Sequence, residues 1–108
     1  MSIITRITFS WNEIGKDAAI YKVFQQCGFL PQLIMKYYEI TRNPYGHISL
    51  VQGFTATDVC VFQFEVENGN VHGKLLHFKL DGSVIRDVDF EDGELVRINV
   101  SVDWSDDY

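Results

Sequence analysis

The side chains able to do chemistry in this 108-residue chain are three histidines, two cysteines and a run of carboxylates toward the C-terminal end. His47, His72 and His77 are the groups whose charge ordinarily changes near neutral pH. His72 and His77 are five residues apart, an odd separation that sends them to opposite faces of a strand. They are therefore not expected to share a metal ion, and Cys60 is the only nearby further ligand for a zinc site. The run Asp87-Val88-Asp89-Phe90-Glu91-Asp92-Gly93 has the look of a calcium loop. An EF-hand needs Gly at its sixth position and Glu at its twelfth; counted from Asp87, Gly93 is seventh and Ile98 twelfth. Cys27 and Cys60 fall on predicted apolar faces with no neighbouring base, which makes them packing thiols rather than nucleophiles. The glycines form neither a GxGxxG nor a GxxxxGK[ST] phosphate cradle. The expectation is no catalytic set, no metal site and no cofactor.

What the reactive side chains do offer is charge. Residues 1–80 carry seven basic and six acidic side chains, a balance of +1, whereas residues 81–108 carry nine acids against Arg86 and Arg97, a balance of −7. The net charge of −6 therefore sits in the last quarter, and it argues against direct contact with nucleic acid or an anionic membrane, both of which demand Lys and Arg. Asp87 and Asp89 are one side-chain period apart and form a negative ridge on one strand face, beside Ile85, with Val84, Val88 and Phe90 on the other. Glu91, Asp92 and Glu94 extend it around a turn. The tail Asp103-Trp104-Ser105-Asp106-Asp107-Tyr108 adds acids interleaved with aromatics, a mixture that anchors protein interfaces. These residues are the candidate partner-binding set, and the partner expected is a basic protein. The plainer reading is that they solubilise a sheet edge.

The elements that must position them are mostly strands. Over 57–104 the sequence alternates in four segments joined at Asn68-Gly69, Asp81-Gly82 and Asp92-Gly93, pairs that tolerate the positive φ of a tight hairpin. Alternation places Cys60, Phe62, Phe64 and Val66 on one face, and Val96, Ile98, Val100, Val102 and Trp104 on one face. Phe62, Phe64, Ile98 and Val100 are thus the expected core. Ile3 to Phe9 reads as a strand whose partner is either the last strand or the short extended segment at Ile48–Val51. Ser10 and Glu13 have capping-box spacing, and apolar residues at three- and four-residue steps predict a helix over 13–27. Gly28 would end it, Pro31 would start a second helix over 32–41 with either Leu33, Tyr37 and Ile40 or the neighbouring row Ile34 and Tyr38 inward, and Asn43-Pro44-Tyr45-Gly46 would stop that one. The resulting expectation is one α+β domain over 1–108, two-layered, with an N-terminal strand and two helices packed on an antiparallel sheet of about five to six strands.

Composition supports a globular chain: 46% hydrophobic residues with eight Phe, five Tyr and two Trp exceed what a disordered chain carries. No apolar run approaches the roughly 20 residues that cross a bilayer, and MSIITRITF has no basic start followed by a long apolar block. With two widely separated cysteines, this reads as a cytoplasmic protein. A competing function is a small enzyme or ligand-binding module with an apolar pocket between sheet and helices, lined by residues such as Phe62, Tyr37 and Tyr38.

In its size, its lack of a catalytic set, the segment DVDFEDGEL and the tail DWSDDY, the chain resembles the small acidic immunity proteins encoded beside bacterial toxins, including those of contact-dependent growth inhibition systems. The resemblance implies a protein that binds and blocks a cognate toxin nuclease, whose active site is basic because its substrate is RNA or DNA.

Overall fold

The structure, a computed structural model, describes residues 3–8, 22, 23, 26 and 35–101. They form one seven-stranded sheet: β1 Ile3–Thr8, β2 Met35–Arg42, β3 Ile48–Thr55, β4 Cys60–Glu67, β5 Asn70–Phe78, β6 Val84–Glu91 and β7 Glu94–Ser101. Spatial order follows sequence order and every neighbouring pair is antiparallel, so the sheet is a pure meander.

This corrects the expected α+β fold of two helices on five to six strands. Residues read as the second helix, 32–41, supply β2 instead, and β1 lies beside β2 rather than beside the last strand or the Ile48 segment. The physical reason is legible afterwards. The stretch Tyr37-Tyr38-Glu39-Ile40-Thr41 is aromatic and β-branched, and its period is two: Tyr38 and Ile40 are buried while Tyr37 and Glu39 face the other way. The three-residue step from Tyr37 to Ile40 had suggested a helix face. Of the segment read as the first helix, only Lys22, Val23 and Gln26 are among the described residues, and their backbone is helical; the rest of that expectation lies outside the described residues.

The inner face of the sheet is apolar. Tyr38, Ile40, Val51, Phe62, Phe64, Val66, Val71, Leu75, Val88 and Phe90 form one buried cluster, and Val23 is buried among them. Phe62 and Phe64 stack with centroids 5.9 Å apart. Gln26 ties the same region to the sheet: its Oε1 accepts from the Val71 amide at 2.7 Å and its Nε2 donates to Asn70 Oδ1 at 2.9 Å.

Turn chemistry follows the sequence closely. Asn68-Gly69 and Asp92-Gly93 are two-residue turns with φ of 54° and 79°, and of 51° and 87°, the mirror-image geometry that suits the right-handed twist of a hairpin. The other three hairpins close over four residues, with the first carbonyl accepting from the fourth amide. These are Asn43 with Gly46 at 2.9 Å, Thr55 with Asp58 at 3.0 Å, and Lys79 with Gly82 at 3.0 Å. The residue in the left-handed region is Gly46, Asp58 or Gly82.

Gly93 combines a positive φ with a crowded site, because a Cβ there would come within 2.7 Å of Gln26 Nε2. Gln26 cannot swing away without leaving the buried Val71 amide without its acceptor. Gly93→Ala is therefore expected to cost about 2 kcal/mol, from left-handed strain plus the lost hydrogen bond. In urea denaturation, Gly82→Ala, which meets no atom within 4 Å, should lose distinctly less. Equal losses would mean that Gln26 moves freely.

Register shifts decide which side chains share a face, and one corrects the expected place of Ile85 beside Asp87 and Asp89. His77 pairs with Arg86 but Phe78 with Val84, so Ile85 is an extra residue and is buried, while Val84 is exposed. Between β3 and β4, Gly53 pairs with Phe62 but Phe54 pairs with Cys60, so Val61 is an extra residue. Cys60 is thereby moved off the Phe62 face and set beside Phe54, half-buried, which corrects its expected core position. Between β6 and β7, Phe90 pairs with Leu95, Asp89 with Arg97, Val88 with Ile98 and Asp87 with Val100. Val96 and Asn99 are the extra residues. Ile98 and Val100 consequently lie on opposite faces, not one, and Ile98 is 60% exposed rather than core. Val102 and Trp104, read on the same face, lie outside the described residues.

Candidate partner-binding surface

Asp87 and Asp89 do share the outer face of β6, but they are not a free negative ridge. Lys74, directly opposite Asp89 on β5, places Nζ 3.0 Å from Asp87 Oδ1 and 3.5 Å from Asp89 Oδ1. The bulged Asn99 of β7 donates Nδ2 to both, at 3.3 Å and 3.2 Å. Arg97 pairs with Asp89 from the other side. Asp87, Asp89, Lys74 and Arg97 thus sum to zero formal charge, and the two carboxylates are only 23% and 28% exposed. The hydrogen bond from Asn99, aided by Lys74, holds the Asp89 carboxyl below its usual range. The Asp87 hydrogen bond in turn pulls the Lys74 ammonium up. The long-range field from this patch is reduced, because the Lys74 ammonium 3.0 and 3.5 Å away cancels one of the two negative charges and Arg97, opposite Asp89 in register, offsets the other.

The uncompensated acids lie at the tip of the β6–β7 hairpin. Glu91, Asp92 and Glu94 are all exposed. His72 connects them to the neighbouring β4–β5 turn: its Nε2 is 3.4 Å from Glu67 Oε2 and its Nδ1 is 3.7 Å from Asp92 Oδ1. The Asp92 amide donates to His72 Nδ1 at 3.3 Å, so Nδ1 is the accepting nitrogen and the ring proton sits on Nε2, toward Glu67. One end of the sheet therefore gathers Glu67, Glu91, Asp92 and Glu94. Asp103, Trp104, Asp106, Asp107 and Tyr108, the remaining candidates, lie outside the described residues.

The inner side of the same hairpin is apolar and open. Leu95 and Ile98 pair with the buried Phe90 and Val88, yet they are themselves 50% and 60% exposed. They stand at the mouth of a cavity of about 360 Å³ whose walls include Leu75, Val88 and Phe90, with Arg86 and Gln26 as polar groups. Sequence reasoning took Ile98 for core and gave Leu95 no role. The signal that identifies them, a three-residue spacing on one face, is intelligible only once the bulge at Val96 is known.

A second constellation was missed as well. On the outer face of β1 to β3, Tyr37 stacks on Phe54 with centroids 5.1 Å apart, and the Arg6 guanidinium lies 4.5 Å from the Tyr37 ring centre. The Tyr37 hydroxyl donates to Asp58, which pushes its own ionisation upward. Tyr37 and Tyr38 thus project to opposite faces, and Phe62 is packed in the core, so these three do not line a common pocket. A cavity of about 460 Å³ does lie between the β2–β3 and β4–β5 turns, with Ile48, Val66 and Val23 in its wall.

Burial pushes the Cys60 thiol up, which disfavours the thiolate a nucleophile needs. Among the described residues no group of three or more His, Cys, Asp or Glu is placed to hold a metal ion, and no helix is long and apolar enough to cross a membrane. Comparison with family models, with curated proteins and with solved structures found no match to this chain.

Proposed function

We propose that this chain is a protein-binding inhibitor of the immunity type, which docks on and neutralises a basic partner, a toxin nuclease domain in the reading that the resemblance suggests. The observation that carries it is the make-up of the β6–β7 hairpin, where an exposed acidic tip, Glu91, Asp92 and Glu94, borders an uncovered apolar strip at Leu95 and Ile98. An apolar centre with a charged rim is how protein interfaces are built, and rim charges act chiefly on the rate of encounter. The tip supplies steering, whereas Asp87 and Asp89 are already engaged by Lys74 and Asn99.

The test is association kinetics with the cognate nuclease. The Glu91→Gln/Asp92→Asn/Glu94→Gln variant is expected to associate about tenfold more slowly at low salt and to lose most of the salt dependence. Asp87→Asn/Asp89→Asn should slow association less than this, because it removes two charges rather than three and removes them from a half-buried strand face rather than from the exposed tip. A tip variant that associates like wild type at every salt concentration would remove the basis of the proposal and leave the acids as a solubilising edge.

A further inference from the structure

We infer that β7 is an acceptor edge, which takes an extended segment of the basic partner as an eighth strand. The inference rests on the docking reading above and adds its mode. β7 is the terminal strand, paired on one side with β6, and no described strand covers its other side. Alternate residues of such an edge direct N–H and C=O groups outward, a template for an added strand. Edges are kept free by Lys, Pro, inward-pointing charge or bulges. β7 reads Glu-Leu-Val-Arg-Ile-Asn-Val-Ser, has no Lys or Pro, and sets Arg97 opposite Asp89 on the outer face, so the bulges at Val96 and Asn99 are the protection it does carry and leave its inner, apolar side open to an added strand.

The occupant follows from what borders the edge. On the inner side, Leu95 and Ile98 are exposed beside the cavity walled by Val88 and Phe90, so an added strand gains apolar contact by pointing Val, Ile or Leu inward. At its beginning, β7 starts from Glu91, Asp92 and Glu94, which fit Lys or Arg at the neighbouring end of the incoming strand. Eight residues of β7 span about 26 Å, room for an added strand of about six to eight residues. A second copy of this chain fits worse, since each copy carries −6 and would bring its own acidic tip to the contact. The opposite edge, β1, carries Arg6 and no acid, so a basic strand is directed to β7.

The probe is an eight-residue peptide alternating valine and lysine, compared with the same peptide carrying proline in place of each valine. The two have equal charge, but only the first can pair as a strand. Amide hydrogen exchange followed by NMR is expected to slow at least tenfold at alternate residues within 94–101 with the first peptide and to stay unchanged with the second. Ile98→Lys should abolish the protection while leaving the β4 and β5 amides as they were. Protection by neither peptide, equal protection by both, or protection at β1 instead would overturn strand addition. Protection of β7 without peptide, rising with protein concentration alongside a dimeric mass, would assign the edge to a second copy and overturn the basic-partner assignment. Failure here, with the tip variant still slowing association with the nuclease, would reject this mode and leave the docking proposal standing.

Discussion

Replacing Phe64 by alanine is expected to cost about 3 to 5 kcal/mol, whereas Ile98→Ala should cost less than about 1 kcal/mol. Phe64 has no exposed surface, pairs with Val51 on one side and Leu75 on the other, and stacks on Phe62. Truncation there removes a whole ring from a site bounded by two strands, and the neighbours, fixed by their ladders, cannot collapse into the space. A domain of this size is stable by roughly 5 to 15 kcal/mol, so the loss is a large fraction of the total. Ile98 is open to water on the same inner face and loses little on truncation. Both residues alternate with polar neighbours in the sequence, and only their burial separates them. Urea denaturation of the two variants checks the difference; comparable losses would mean that β7 is covered as tightly as β4.

Acid should weaken the fold through His77 before the carboxylates titrate. His77 is 1% exposed on β5 with Arg86 directly opposite, and burial, with the Arg86 charge beside it, lowers its pKa to about 4 from an ordinary value of 6.5. Between those values the unfolded chain binds a proton that the folded chain refuses. Stability is therefore complete above about pH 7, falls as pH drops through 6.5, and levels off below about 4, where both states are protonated. The expected loss between pH 7 and pH 5 is about 2 kcal/mol. Urea midpoints at pH 7, 6 and 5 should fall for wild type, while His77→Leu, weaker or not at pH 7, should be nearly flat over that window. Parallel slopes for the two proteins would assign the acid sensitivity elsewhere.

The odd spacing of His72 and His77 correctly separated them, and the structure shows how differently the two are used: His77 is sealed in the inner face, His72 bridges two exposed turns. The acidic candidates were legible as residues but not as a surface. Asp87 and Asp89 are where period-two alternation puts them, yet their charge is set by Lys74, 13 and 15 positions earlier in the chain, and by Asn99. Nothing local to DVDFEDGEL announces those partners.

Local chemistry was enough to fix the strands from Cys60 to Ser101 and the turns between them. A residue such as Asn68 or Asp92 followed by Gly adopts positive φ at low cost wherever it occurs, and an alternating segment has only one way to bury its apolar half. Tertiary structure decided the rest. It chose strand over helix for residues 35–42, where both periods could be read and pairing with β1 and β3 on either side selected one. It also inserted Val61, Val96 and Asn99 as extra residues, which moved Cys60 out of the Phe62 row and put Leu95 and Ile98 together on the inner face. A bulge belongs to the pairing of two strands and to neither strand alone, so a face assigned by counting along one strand holds only until the first one is met.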